Sequence, residues 1–260
     1  FTRLIYTITY FLLGEIDFRL LIVLGNISLV ALLYLFFRTL KGSHTNLLYF
    51  APVSILLFQL QFWKNMTWAA SALQHQYILL FTGLTFYFLS KNSNRGFYCA
   101  FFFAVISIFT HAGGLVTFFL GWAILMISKR YRQSSIWVLG TFILGFFYLK
   151  NFEAGVNVFS GTQSLAGFKN LLTYFFAYLG SAISFENIHV AVGLGMILCF
   201  YMCFLTWDKY FERNMTVFMF MVYIFLTAGL VAIARSDLGV ENVFTPRYKV
   251  VSIILIILIY

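Results

Sequence analysis

Two arginines bracket the most polar stretch of an otherwise apolar chain. Arg235 directly follows the run Met215–Ala234, and Arg247 stands in Pro246-Arg247-Tyr248 at the start of the next run. The fifteen residues Arg235–Lys249 hold five charges. Fixed guanidinium cations at membrane depth, twelve positions apart, suit a lipid phosphate or diphosphate, because each can grip two phosphate oxygens. The plainer reading makes both arginines interface anchors paired with Asp237 and Glu241. His111 lies in Thr110-His111-Ala112-Gly113-Gly114, between two short apolar segments. Glycines permit a tight turn there, and a donor at a helix start can receive a phosphate. A simple helix–helix turn with its imidazole in water would carry the same sequence.

Other polar groups compete for the same attention. Gln74-His75-Gln76 falls a turn or two inside the apolar stretch Trp68–Ser90, and intramembrane polar groups are costly. Ser71 shares a helical face with His75, so interhelical hydrogen bonding is the alternative. Trp63, Lys64 and Trp68 read as an interfacial belt with a snorkelling lysine. Glu15 and Asp17, spaced i, i+2 before a span, could act as base or hold a divalent metal, the one cofactor the sequence admits. They could equally be a solvated helix start with Asp17 as N-cap. Lys150–Asn170, rich in Gly, Ser, Asn and Gln, reads as a loop or lid over an acceptor. Cys99, Cys199 and Cys203 sit in apolar runs with no metal or disulfide spacing. Asn65-Met66-Thr67 and Asn214-Met215-Thr216 match the glycosylation acceptor pattern but abut membrane runs.

The elements that must position these groups follow from composition. Of 260 residues, 62% are hydrophobic, 10% charged and 21% aromatic, and mean hydropathy is +0.91. A soluble domain carries about 25% charged residues. Soluble globular, disordered and nucleic-acid-binding classes are excluded, and an all-α polytopic transmembrane bundle is expected. About nine spans read out: Leu20–Phe37, Leu47–Trp63, Trp68–Ser90, Phe97–Thr110, Gly114–Ile127, Ile136–Leu149, Val190–Trp207, Met215–Ala234 and Val250–Tyr260. Leu171–Phe185 is a further interfacial, re-entrant or spanning segment, and it sets the sidedness of everything after it.

Taken as non-spanning, that segment leaves nine of the seventeen cations in four short loops. Those loops are cytoplasmic by the positive-inside bias, which accounts for much of the net charge of +9. Six of the eight acids and His75, His111 and His189 then face outward, where chemistry is expected. The chain starts at Phe1 and stops eleven residues into its last apolar run. It is expected to be one transmembrane domain, 1–260, cut from a longer protein that adds an N-terminal span and more C-terminal sequence. A cleaved signal peptide is the other account of the missing Met.

Three stretches carry a resemblance. They are Arg3 to Asn26 (RLIYTITYFLLGEIDFRLLIVLGN), Ser107–Trp122 (SIFTHAGGLVTFFLGW) and Arg235-x3-Gly239 with Pro246-Arg247-Tyr248. Together they cover about a quarter of the chain. They resemble bacterial multi-pass proteins of the GT-C type, the polyprenyl-phosphate-sugar glycosyltransferases. The second stretch is like a helix pair whose outer turn usually reads Thr-Lys-Gly. The third is like an Arg…Gly…Ser-Arg-Tyr signature. The resemblance implies a sugar transferred at the outer face of a bacterial inner membrane from a polyprenyl-phosphate-linked donor. It implies phosphate contacts from Arg235 and Arg247, with His111 standing where the family has lysine. It implies a carboxylate base in the first outer loop, which would lie mostly before Phe1, leaving Glu15 and Asp17 as substitutes. Membrane lipid is then a partner, nucleic acid is not, and Gln74, His75 and Lys64 are further polar candidates. The competing classes are a lipid-linked glycan polymerase or ligase, and a non-enzymatic transporter or subunit held to other membrane proteins.

Overall fold

The computed structural model describes residues 1–40, 47–150 and 165–260. Among them every regular element is helical. That is the expected outcome for apolar segments whose backbone groups must find partners within the segment. Helix α1 (Thr2–Leu13) stops at Gly14, whose φ of 77° lets its N–H close on Tyr10 O. Helix α2 (Phe18–Leu40) begins on Asp17, whose Oδ1 accepts the Arg19 and Leu20 N–H groups at 2.8 and 3.3 Å. The N-cap reading of Asp17 is thus the geometry found.

The stretch expected as one span over Leu47–Trp63 is broken into pieces. A 3-10 turn at Leu47–Phe50 leads into α3 (Ala51–Leu57), then a turn at Leu60–Phe62 and α4 (Trp63–Thr67). The backbone is extended at Gln59, the first of two glutamines that interrupt the apolar run. Irregular backbone is tolerated at such depth where protein covers it, and α14 packs along these pieces. Helix α5 (Ala69–Ser71) runs through a π turn at Ala72–Gln76 into α6 (Tyr77–Ser90). The order then continues as α7 (Asn94–Thr110), α8 (Gly114–Ile127), α9 (Tyr131–Lys150), α10 (Leu165–Gly180), α11 (Ile188–Trp207), α12 (Tyr210–Arg213), α13 (Met215–Arg235) and α14 (Pro246–Ile259).

Three helices are long and apolar enough to cross a membrane: Phe18–Leu40, Ile188–Trp207 and Met215–Leu238. Shorter apolar helices, α7 and α8, stand beside them. Large apolar side chains point outward from the bundle. Phe200 is 74% exposed and Trp207 88%, as lipid-facing residues should be.

Contacts sort the helices into two ends. At one end Asn214 Nδ2 donates to Thr39 O, Ser90 and Thr216 share a hydrogen bond, and Arg130 donates to Leu89 O. Arg38, Lys91, Arg95, Lys129, Arg132, Lys209 and Arg213 gather at this end with Arg130. At the other end Asn65 Nδ2 donates to Arg247 O, and Lys249 Nζ meets Glu186 Oε1 at 3.2 Å. Helix α10 runs antiparallel to α11, with Gly180 against Ala191 and Gly195 against Phe176. Its last residues and the following turn therefore reach the Arg247 end. Phe185 and Glu186 make that turn with left-handed φ of 48° and 66°. The stretch expected as a lid, Lys150–Asn170, lies largely outside the described residues.

A buried polar network ties four segments together near Arg247. Asn65 is fully buried; its Oδ1 accepts from Ser71 Oγ and its carbonyl from Gln76 Nε2, at 2.6 and 2.7 Å. Ser28 Oγ reaches Gln76 Oε1 at 3.1 Å, and Asn26 Nδ2 donates to Met66 O. Asn65 is therefore a structural amide, not a glycan acceptor. Asn65→Leu would strand the Ser71 hydroxyl and remove the side-chain donor to the Arg247 carbonyl. It is expected to cost roughly 1–3 kcal/mol, visible as a lower melting temperature; an unchanged melting curve would show the network to be dispensable.

Candidate functional site

The segment between α13 and α14 brings distant arginines together. Two 3-10 turns, Ser236–Leu238 and Val240–Phe244, fold back at Gly239, whose φ is 92°. Pro246 then opens α14, where its missing N–H costs nothing. The guanidinium of Arg235 lies 5.6 Å, and that of Arg247 4.9 Å, from the centre of one ring, Tyr248. Among the described residues neither makes an ion pair; the salt bridges found there are Arg213–Asp208 and Lys249–Glu186. Asp237 and Glu241 are exposed and leave both arginines unpaired. Arg247 Nε is buried without a hydrogen-bond partner.

Two further elements close on these cations. The π turn carries Gln74 and His75, and the Thr110–Gly113 turn carries His111. A π turn widens a helix by one residue and often marks a functional place. The imidazoles of His75 and His111 stand 5.6 Å apart, centre to centre. His111 Nδ1 accepts the Gly113 N–H at 3.0 Å. Its neutral form therefore carries the proton on Nε2 and acts as a donor. Gly113 is required for close approach: a Cβ there would lie 2.7 Å from Tyr223 Oη.

Gln74, His75, His111, Arg235, Arg247 and Tyr248 line one cavity of about 470 Å³. Ile78, Leu79, Leu230 and Val251 supply an apolar wall, and Tyr178 of α10 packs its ring 5.7 Å from Tyr248. Among the described residues no aspartate or glutamate lines it. Five of the residues singled out from sequence are brought together here. The other three are elsewhere. Glu15 is exposed in the turn before α2, Asp17 caps that helix, and Lys64 is exposed with its ammonium 5.6 Å from the Trp63 ring. Among the described residues no group of three His, Cys, Asp or Glu could hold a metal ion.

Tyr178, Tyr223 and the amide of Asn65 were not singled out for the site. The tyrosines gave no signal in a chain with 16 of them. Asn65, an amide between two apolar runs, stands in a glycosylation pattern that points elsewhere.

The His111 imidazole is held below its ordinary pKa of 6.5 by burial and then by the nearby Arg235 charge. Protonation on Nδ1 would also break the Gly113 bond. A folded value below the unfolded one means that the native state resists protonation. This contribution to stability is complete above about pH 6.5 and declines as pH falls below it. The melting temperature is expected to drop on acidification, and His111→Asn, whose amide oxygen can still accept from Gly113, should flatten that slope. Equal slopes in the two proteins would count against it.

Comparison of the chain with protein-family models, curated proteins and solved structures finds no match.

Proposed function

We propose that this chain forms the membrane part of a glycosyltransferase. It takes a sugar from a polyprenyl-phosphate-linked donor and passes it to an acceptor at the outer face of a bacterial inner membrane. The observation that carries this reading is the cavity in which Arg235 and Arg247, without acidic partners, meet His111 beside an apolar wall. Cations inside an apolar bundle mark a site for an anion, and the apolar wall suits one that arrives with a hydrophobic body. The cation-rich opposite end becomes the cytoplasmic side under the positive-inside bias. The bundle then crosses about nine times, with α3 and α4 as one broken crossing and α10 packed on α11.

The acceptor hydroxyl loses its proton as its oxygen attacks the anomeric carbon. The bond from that carbon to the phosphate oxygen breaks, and the lipid phosphate leaves with the electron pair. Arg235, Arg247 and the His111 Nε2–H stabilise the charge that grows on the leaving phosphate. Among the described lining residues, which include no carboxylate, His75 is the group suited to take the proton.

The test uses the complete protein in nanodiscs, with polyprenyl phosphate set against the matching polyprenol. Polyprenyl phosphate is expected to raise the melting temperature, and the alcohol is not. Equal shifts from both would sink the phosphate reading.

A further inference from the structure

The cavity contains a charge imbalance that narrows the donor. Both arginines are always protonated. Neither has an ion-pair partner among the described residues, although Lys249, two residues beyond Arg247, has one in Glu186. Among the described residues no acid lines the cavity. His111 is tied through Nδ1 to Gly113 and offers only a proton donor. The two guanidinium groups lie 5.6 and 4.9 Å from the centre of one tyrosine ring, so both cations serve the same small site. Arg247 Nε adds a buried donor with nothing to receive it.

A sugar joined to a lipid through one phosphate is a diester with a single negative charge. It would answer one arginine and leave the other as an unpaired cation in an apolar cavity, which is costly. A diphosphate linkage carries two negative charges on two phosphorus centres. It would pair with both arginines, and His111 would be left to hydrogen-bond an oxygen between or beside them. From this we infer that the site is built for a lipid diphosphate, not a lipid monophosphate. The inference rests on the phosphate-donor reading above and adds which phosphate linkage the donor carries.

The experiment measures binding to the complete protein in nanodiscs by four capped probes: farnesyl methyl phosphate and dimethyl phosphate, each with one negative charge, and the corresponding farnesyl methyl diphosphate and dimethyl diphosphate, each with two. The diphosphate is expected to bind at least tenfold more tightly than the monophosphate in each pair, an order-of-magnitude preference for one added charge contact. Arg235→Gln should bring that ratio to within about twofold, because one cation then remains. Arg213→Gln, at the opposite end and paired with Asp208, should leave the ratio unchanged. Equal affinities for mono- and diphosphate in the wild-type protein overturn the inference while the phosphate reading stands. A ratio unaffected by Arg235→Gln overturns it too, by placing the preference elsewhere. Failure of all four probes to bind removes the phosphate reading itself. Should Arg235→Gln not fold, the wild-type ratio decides alone.

Discussion

Arg247→Ala is expected to reduce sugar transfer by at least about 100-fold, the scale on which one preorganised charge contact to a developing anion acts. The reasoning starts from how firmly that side chain is placed. Its backbone carbonyl is gripped by Asn65, its residue stands one step inside α14, and its guanidinium lies 4.9 Å from the Tyr248 ring centre. A donor held this way pays little reorganisation when the phosphate leaves. Alanine removes the charge and the buried Nε but keeps the helix, so folding should survive. Arg247→Lys is expected to recover only part of the loss, because an ammonium is a point charge that lacks the planar fork. The measurement is transfer by the complete protein, with lipid-phosphate binding followed alongside. A fall in both places Arg247 on the donor. A fall in transfer with binding intact places it on the leaving group alone. Unchanged transfer in Arg247→Ala would reject the role altogether.

The sequence made these arginines visible for a simple reason. A charge is rare in such a chain, and two of them close the polar stretch between apolar runs. His111 and His75 stood out on the same logic, as polar groups inside or between spans. The logic does not separate a local role from a site role. Asp17 has the spacing of a catalytic carboxylate, yet its Oδ1 is taken by the N–H groups of Arg19 and Leu20. Breaks in helices were also hidden. The pieces over Leu47–Thr67 contain no glycine, and their one proline, Pro52, sits at the start of α3, where it favours a helix. The π turn is set by the partners of Gln76, which come from α2 and α4, so no local pattern announces it. The sidedness left open by Leu171–Phe185 turns on the Asn214–Thr39 and Ser90–Thr216 contacts, which span 175 and 126 positions and are invisible to any window.

Gly195→Val is expected to produce the largest loss of stability among single changes in the helices around the site. Helices α10 and α11 meet at two glycines where backbone touches backbone. A Cβ at Gly195 would run into Phe176 O, and one at Gly180 into Ala191 O. A carbonyl in a helix cannot swing aside as a side-chain tip can, so the helices must part. Small residues serve this purpose where water gives no hydrophobic push between helices. Overpacking costs about 1–3 kcal/mol when side chains can adjust, and the cost against backbone lies at or beyond the upper end. The consequence reaches the cavity, because α10 carries Tyr178, packed on Tyr248. Lipid-phosphate affinity should therefore fall together with melting temperature. Gly193→Val is the control: it lies on the same helix, and a Cβ there meets nothing within 4 Å. It shares the helix propensity change and none of the contact. If Gly193→Val and Gly195→Val melt at the same temperature, close backbone approach is not what seats α10 against the site.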